Sequence, residues 1–190
     1  MTDDVPDRYA LSFLIGEVVR HDIGAESEMR MVWHWLRQAG LVHEPMERDL
    51  GRLIKQVRRG LRDPAVPEEF GRIALQVLER TWTAHRLRNE LVHDQWVNVP
   101  WNATQIRSMR SATPRQLADL RICAADLLTL SWRLRGVAVI APAWLGTEDK
   151  DDEPLSDADA HSWTRVAMGH IADEPGRIVG TPGPAPLPER

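Results

Sequence analysis

Apolar residues recur along this chain at the three- and four-residue spacing of amphipathic helices, and no segment shows the alternation typical of strands. Five segments carry the helical pattern, namely residues 8–21, 26–39, 45–61, 67–97 and 114–137. Gly40 stands where a glycine would cap the second helix, and Pro45 suits the first position of the third. The pattern predicts an all-α protein, an antiparallel bundle of four to five helices.

Two stretches depart from the helical pattern. Residues 98–112 form a connection that is long for a helical bundle, which predicts a functional loop. Residues 148–154 read as an acidic linker, after which Ser156 is predicted to cap a short helix that runs to about residue 171. The final sixteen residues contain eight prolines or glycines and are predicted to be disordered. We therefore expect a helical bundle over residues 1–146 and a flexible acidic, Pro/Gly-rich tail over residues 147–190.

Composition narrows the class of protein. With 190 residues, 43% hydrophobic and 27% charged, the chain is typical of one globular domain. Cys123 is the only cysteine, which excludes an intramolecular disulfide and a four-cysteine zinc site and fits a reducing cytoplasm. The longest apolar run, residues 137–145, is too short to span a bilayer, and no secretory signal is recognisable. These features predict a cytoplasmic protein without membrane contact.

The net charge of −4 is unevenly distributed along the chain. Ten acidic and four basic residues lie after residue 146, which leaves 18 acidic and 20 basic residues in the bundle. The bundle is therefore mildly basic and the tail acidic. The negative net charge of the whole chain thus does not exclude a nucleic-acid partner.

The most informative candidate chemistry lies near the end of the fourth predicted helix, where Arg88, Asn89 and His93 follow closely on one another. An arginine followed by a histidine after four to six residues occurs five times in the chain, so the spacing alone decides little. Arg88 differs from the others because an amide follows it directly and because it falls on the apolar stripe of a long helix. Arginine binds phosphate oxygens, histidine transfers protons near neutral pH, and asparagine orients either group.

This Arg88-Asn89-x-x-x-His93 pattern, late in a long helix of a small helical chain, resembles the HEPN superfamily of prokaryotic defence and toxin ribonucleases. The resemblance covers roughly residues 8–140 as a pattern of helices, and only the short motif is specific. It implies a helical bundle that forms a homodimer in which two motifs face each other, and metal-independent cleavage of RNA. In some related toxins a tyrosine two positions after the histidine is modified, whereas this chain has Gln95 there.

The resemblance assigns catalytic roles to three residues. His93 would transfer protons, Arg88 would hold the phosphate, and Asn89 would orient His93 or a phosphate oxygen. A purely structural alternative stays open, in which His93 favourably ends a helix and Arg88 pairs with Glu90 or Glu79. An arginine on a core stripe needs an explanation in either case, because an unpaired buried charge is costly.

Further candidates surround the motif in sequence. Arg52, Lys55 and Arg59 align on the polar face of the third helix and predict an RNA-backbone contact, although a solvated charged face is the ordinary alternative. His85 is interpreted as a packed or phosphate-facing residue, since its spacing of eight from His93 is wrong for a metal pair. Trp101 is a candidate for stacking on an RNA base. No metal site and no cofactor are predicted.

The sequence thus favours a metal-independent endoribonuclease of toxin or phage-defence type, which cleaves RNA by 2′-hydroxyl attack at a composite dimer site. An antitoxin or a defence protein would be its partner. The alternative is a non-enzymatic HEPN-like helical module that binds a nucleotide or a protein.

Overall fold

The computed structural model describes residues 7–93, 96–99, 102–108, 114–147 and 154–169. These residues form five helices and a small three-stranded sheet, which confirms the predicted helical bundle. The helices are α1 (Asp7–Gln38), α2 (Leu50–Leu61), α3 (Glu68–His93), α4 (Leu117–Leu145) and α5 (Asp157–Met168). The strands are β1 (Trp96–Val99), β2 (Asn102–Ser108) and β3 (Pro114–Gln116).

Helix α1 replaces the first two predicted helices with one continuous helix of 32 residues. Its buried face runs without interruption across the expected break, since Val18, Asp22, Ala25 and Met29 succeed one another at helical spacing. Gly24 does not end the helix, because it lies where α1 approaches α4, and a Cβ there would stand 3.1 Å from Oγ of Ser131. The prediction of two separate helices is therefore wrong.

The ends of the helices follow from local capping. Asp49 accepts a hydrogen bond from the Arg52 amide at 2.9 Å and so begins α2 at Leu50, rather than at Pro45 as predicted. Gly40 has φ of 72°, and the Leu41 amide donates to the Leu36 carbonyl at 2.8 Å, which confirms the predicted glycine cap. Helix α3 ends at His93, and α4 continues beyond the predicted end to include Pro142.

The connection between α3 and α4 differs from the predicted loop. Strand β2 pairs antiparallel with both β1 and β3, so it is the central strand of a sheet in the order β1-β2-β3. In this register Val97 lies opposite Arg107, and Ile106 lies opposite Arg115. Sequence periodicity missed the sheet because β1 and β3 are short. The sheet joins the end of α3 to the start of α4.

Helix α5 packs against α4 and α3. Ser156 caps its N-terminus as predicted, by accepting a hydrogen bond from the Asp159 amide at 3.2 Å. The contact with α4 is close, because a Cβ on Gly136 would lie 2.8 Å from the Ala167 amide nitrogen. The boundary after residue 146 stays a prediction, but Ala167 beyond it contributes to the core of the bundle. The acidic linker and the final residues of the predicted tail lie outside the described residues.

Two apolar clusters fill the bundle. The larger contains residues from all five helices, with Phe70 and Leu53 at its centre. The smaller joins the first half of α1 to the end of α3 and the start of α4, through residues such as Leu14, Leu91 and Leu120. None of the helices within the described ranges is both long and apolar enough to cross a membrane.

Candidate functional site

Four polar side chains form a closed ring between α1 and α3, at the level where one apolar cluster gives way to the other. Asp22 comes from α1, and His85, Arg88 and Asn89 come from α3. The Asp22 Oδ1 atom lies 3.1 Å from Nδ1 of His85, and Nε2 of His85 lies 3.0 Å from Nδ2 of Asn89. Nη1 of Arg88 donates to Oδ1 of Asn89 at 2.9 Å, and Nε of Arg88 lies 3.0 Å from Oδ2 of Asp22.

The directions of these hydrogen bonds fix the state of His85. The amide nitrogen of Asn89 has only hydrogens to offer, so Nε2 of His85 accepts and carries no proton. The proton of the neutral imidazole therefore sits on Nδ1, from which it is donated to Asp22. Flipping the Asn89 amide would set its NH₂ group against the guanidinium of Arg88, which is itself only a donor. The ring thus selects one amide orientation and one histidine tautomer.

Arg88 is held in the ring by charge as well as by hydrogen bonds. Its side chain is 19% exposed and that of Asp22 only 4%. The contact between them is an ion pair rather than an aligned hydrogen bond, because Nε of Arg88 has no partner of good geometry among the described residues. Asp22 therefore supplies the charge that a core-facing arginine needs. The alternative in which Arg88 pairs with Glu79 is wrong, since Arg88 pairs with Asp22 and Glu79 pairs with Arg58 at 2.9 Å.

His85 is packed inside the bundle, which is the first of the two interpretations that the sequence left open. It is 8% exposed, and both of its ring nitrogens are engaged within the ring. This placement favours the packed interpretation over a phosphate contact, and it lets His85 orient both Asn89 and Asp22.

His93 is exposed at the last position of α3, outside the ring. Residues five apart on a helix are separated by about 140° around the axis and about 7.5 Å along it. His93 therefore leaves the helix on a different face from Arg88, which points toward α1. The structure joins Arg88 to Asn89. His93 lies one turn after Asn89 on nearly the same face, but no hydrogen bond among the described residues joins His93 to either of them.

His21 is the neighbour of Asp22 on α1 and lies outside the ring. Burial lowers the pKa of His21, and the positive charge of Arg20 lowers it further, while Glu17 opposes the shift. The pKa of Glu17 is in turn lowered, chiefly by its hydrogen bond with Arg20, whose Nη2 lies 2.7 Å from Oε2. These contacts favour the neutral form of His21 and the charged form of the Glu17 carboxylate.

The predicted RNA-contact residues of α2 share one exposed face. Arg52, Lys55 and Arg59 border a groove of about 480 Å³, which Glu44 and Glu47 also line. Arg59 forms an ion pair with Glu44, whereas Arg52 and Lys55 have no ion pair with any described residue. The face thus keeps two cations available for a phosphate backbone.

Two predictions remain, the stacking role of Trp101 and the absence of a metal site. Trp101 lies outside the described residues. Within the described ranges, no three histidine, cysteine or acidic side chains lie close enough together to hold a metal ion.

The sequence analysis missed Asp22, although it anchors the ring. The signal was present in the spacing of α1, because Asp22 falls on the stripe formed by Val18, Ala25 and Met29 once the helix is continuous.

Comparison with known proteins gives no relative to set beside this site: no family model matches the chain, and neither curated proteins nor solved structures gave a significant match. The functional argument therefore depends on the residues themselves.

Proposed function

We propose that this protein is an HEPN-type endoribonuclease that cleaves RNA without a metal ion, as a toxin or phage-defence enzyme. The observation that carries the proposal is a guanidinium held rigidly by Asp22 and Asn89, on the same helix as an exposed terminal histidine. A positioned guanidinium stabilises negative charge that develops on a phosphate, and an exposed histidine exchanges protons near neutral pH.

The proposed reaction is an internal displacement at phosphorus. The ribose 2′-hydroxyl oxygen attacks the adjacent phosphorus and the bond to the 5′-oxygen breaks, which leaves a 2′,3′-cyclic phosphate and a 5′-hydroxyl. One histidine accepts the proton of the 2′-hydroxyl, and another donates a proton to the leaving oxygen. Arg88 binds a non-bridging phosphate oxygen through Nη2, which has no hydrogen-bonding partner among the described residues.

The reaction needs two titratable groups, whereas each motif supplies one exposed histidine. A homodimer with twofold symmetry would supply His93 twice at one composite site. The divergence of Arg88 and His93 around α3 favours this arrangement, because the two side chains of one chain do not converge on a common phosphate. RNA is the substrate, and the proposal places the enzyme in the cytoplasm with an antitoxin or a defence protein as partner.

The face of α2 is proposed as the RNA-backbone contact. Arg52 and Lys55 are exposed cations without a carboxylate partner in the described part of the chain, and Arg59 lies on the same face. Such cations bind phosphates without reading sequence.

The second candidate function is a non-enzymatic HEPN-like helical module that binds a nucleotide or a protein. The closed ring favours it, because Asp22 already satisfies the charge of Arg88 and explains that residue without a substrate. Under this alternative Arg88 matters for stability alone, and His93 is an ordinary surface residue.

The deciding experiment is an RNA cleavage assay in EDTA with the purified chain and diverse single-stranded RNAs. We expect products that end in a cyclic phosphate and a 5′-hydroxyl, and no cleavage where a 2′-deoxy nucleotide replaces the ribonucleotide at the cut site. If the dimer leaves all RNAs intact, even with the products of neighbouring genes added, the helical-module alternative replaces the nuclease.

A further inference from the structure

A groove of about 460 Å³ runs between α3 and α4, away from the ring. Its volume is within the range of sites for small ligands. Residues of α3 from Glu79 to Leu87 line one side, and residues of α4 from Cys123 to Arg133 line the other. The ring residues Arg88 and Asn89 do not line it.

The groove has one cationic end. Arg80 and Arg133 both line this end, and their positive charges repel each other. The pKa of Arg133 is lowered chiefly by burial and further by the charge of Arg80. Arg133 is only 3% exposed, and neither arginine pairs with a carboxylate among the described residues. Nε of Arg133 donates to the Ala167 carbonyl at 2.9 Å at the end of α5, which leaves its charge without an ionic partner there.

The opposite end of the groove is apolar. Ala84 and Leu87 on α3 and Leu130 on α4 supply hydrocarbon surface that runs from the level of the arginines toward Cys123. Two carboxylates line the groove. Glu79 lies at the arginine end and is paired with Arg58, and Asp126 lies near the middle and is exposed. A negative group on a ligand is therefore favoured near Arg80 and Arg133. It is disfavoured near Asp126 and the apolar side chains.

We propose that this groove binds a small organic anion whose phosphate or carboxylate contacts Arg80 and Arg133 and whose apolar body lies against Ala84, Leu87 and Leu130. Two like charges that have no ion pair with a carboxylate among the described residues are costly to bring together, and an anion at that point neutralises both. The apolar wall then contributes by burying the rest of the ligand. This site is independent of RNA cleavage and of the motif at Arg88.

The test is binding of three probes to the full chain by calorimetry, in the absence of RNA: adenosine monophosphate, octanoate and inorganic phosphate. We expect saturable binding of one organic probe more tightly than about 1 mM, and weaker binding of inorganic phosphate. A preference for adenosine monophosphate identifies a phosphate ligand, and a preference for octanoate identifies a carboxylate ligand. Equal affinity for inorganic phosphate overturns the proposal, because the apolar wall would then contribute nothing.

Variants locate the bound probe. Arg80→Gln should weaken binding about tenfold or more through loss of one charge-assisted contact, and Ala84→Phe should block the groove. Arg133 is left unchanged in both variants, because it donates a hydrogen bond to α5 and its replacement could destabilise the fold. Arg72→Gln is the control, since Arg72 is exposed on the same helix but does not line the groove. Binding that survives both groove variants, or that is absent for all three probes, overturns the site without affecting the proposed nuclease.

Discussion

Asp22 and Arg88 are 66 positions apart in sequence, yet their charged groups approach within 3.0 Å between α1 and α3. The carboxylate is almost fully buried, so the two charges depend on each other for stabilisation that water does not supply. The motif arginine is therefore part of the packing between two helices as well as a candidate for phosphate binding.

Removing the carboxylate should cost much of the stability of the fold. We expect Asp22→Asn to lower the free energy of unfolding by about 3–5 kcal/mol, because the charge of Arg88 is left buried without its partner. Urea denaturation measures the change. The matched control is Glu79→Gln, which breaks the more exposed pair with Arg58 and should cost about 1 kcal/mol or less.

A double-mutant cycle separates this pair from general damage to the core. Asp22→Asn combined with Arg88→Gln should destabilise by clearly less than the sum of the single changes. Additive losses, or an Asp22→Asn variant no less stable than Glu79→Gln, would contradict the ion pair as described.

His93→Gln should abolish most RNA cleavage while leaving the fold intact. The side chain is exposed, so the unfolding midpoint should not change, whereas loss of the proton-transfer group should slow cleavage by about 10²–10⁴-fold. The readouts are the cleavage rate in EDTA and urea denaturation of the same sample. His161→Gln, at an exposed position on α5, is the control and should keep full activity. An active His93→Gln variant would rule out the proposed role of this residue.

Neutralising the exposed cations of α2 should weaken RNA binding at every sequence. We expect the triple change of Arg52, Lys55 and Arg59 to Gln to lower affinity and to flatten its dependence on salt, because fewer counterions are released. A control triple with the same change in net charge replaces Arg72, Arg121 and Arg165, which are exposed elsewhere. Equal effects of the two triples would show that net charge alone matters and that α2 has no special role.

The contact between α4 and α5 should be sensitive to a single methyl group. In Gly136→Ala the new Cβ would lie 2.8 Å from the Ala167 nitrogen and 2.9 Å from the Trp163 oxygen, both backbone atoms. We expect a loss of about 1–3 kcal/mol on urea unfolding, since the helices must separate. Gly16→Ala is the matched control, because no atom lies within 4 Å of its Cβ position, and it should stabilise α1 by about 0.5–1 kcal/mol.

Glu28 should make stability depend on pH from about 4.5 upward. Burial raises the pKa of Glu28 in the folded protein above 4.5, and Arg135 opposes part of that rise. The folded state therefore holds this proton more tightly than the unfolded state, so stability falls as pH rises from about 4.5 through the raised pKa and then levels off. Glu28→Gln should consequently gain stability relative to wild type as pH rises through this window.

The variant Arg135→Gln provides a test of the cause. Removing this positive charge should raise the pKa of Glu28 further and extend the window of falling stability to higher pH. A constant difference between wild type and Glu28→Gln at all pH values would contradict burial as the cause of the shift.

Sequence periodicity predicted the helices because each buries one face, and it predicted the caps at Gly40 and Ser156 because those residues act locally. It divided α1 between residues 21 and 26, although Asp22 lies on the same buried stripe as Val18 and Ala25. The partners that make Asp22 acceptable there are His85 and Arg88, which are 63 and 66 residues away in sequence and close only in the folded chain. A pairing at that distance has no local signature.

The strands between α3 and α4 escaped prediction for a related reason. β1 has four residues and β3 has three, which is too short for alternation to stand out from chance. Their stability comes from pairing with β2, and pairing is not visible in any one segment. In the candidate site, the motif located Arg88 and Asn89, but it gave no sign of Asp22 on α1, which pairs with Arg88.

The length of α1 has a mechanical consequence. Its 32 residues extend over about 48 Å, and the same helix forms a wall of both apolar clusters. A displacement of α1 in one apolar cluster is therefore transmitted to the other cluster through the same helix. Asp22 and the ring lie near the middle of that helix. Loss of helical structure near Asp22 would disconnect the two clusters, whereas fraying at either end of α1 would disturb only one of them.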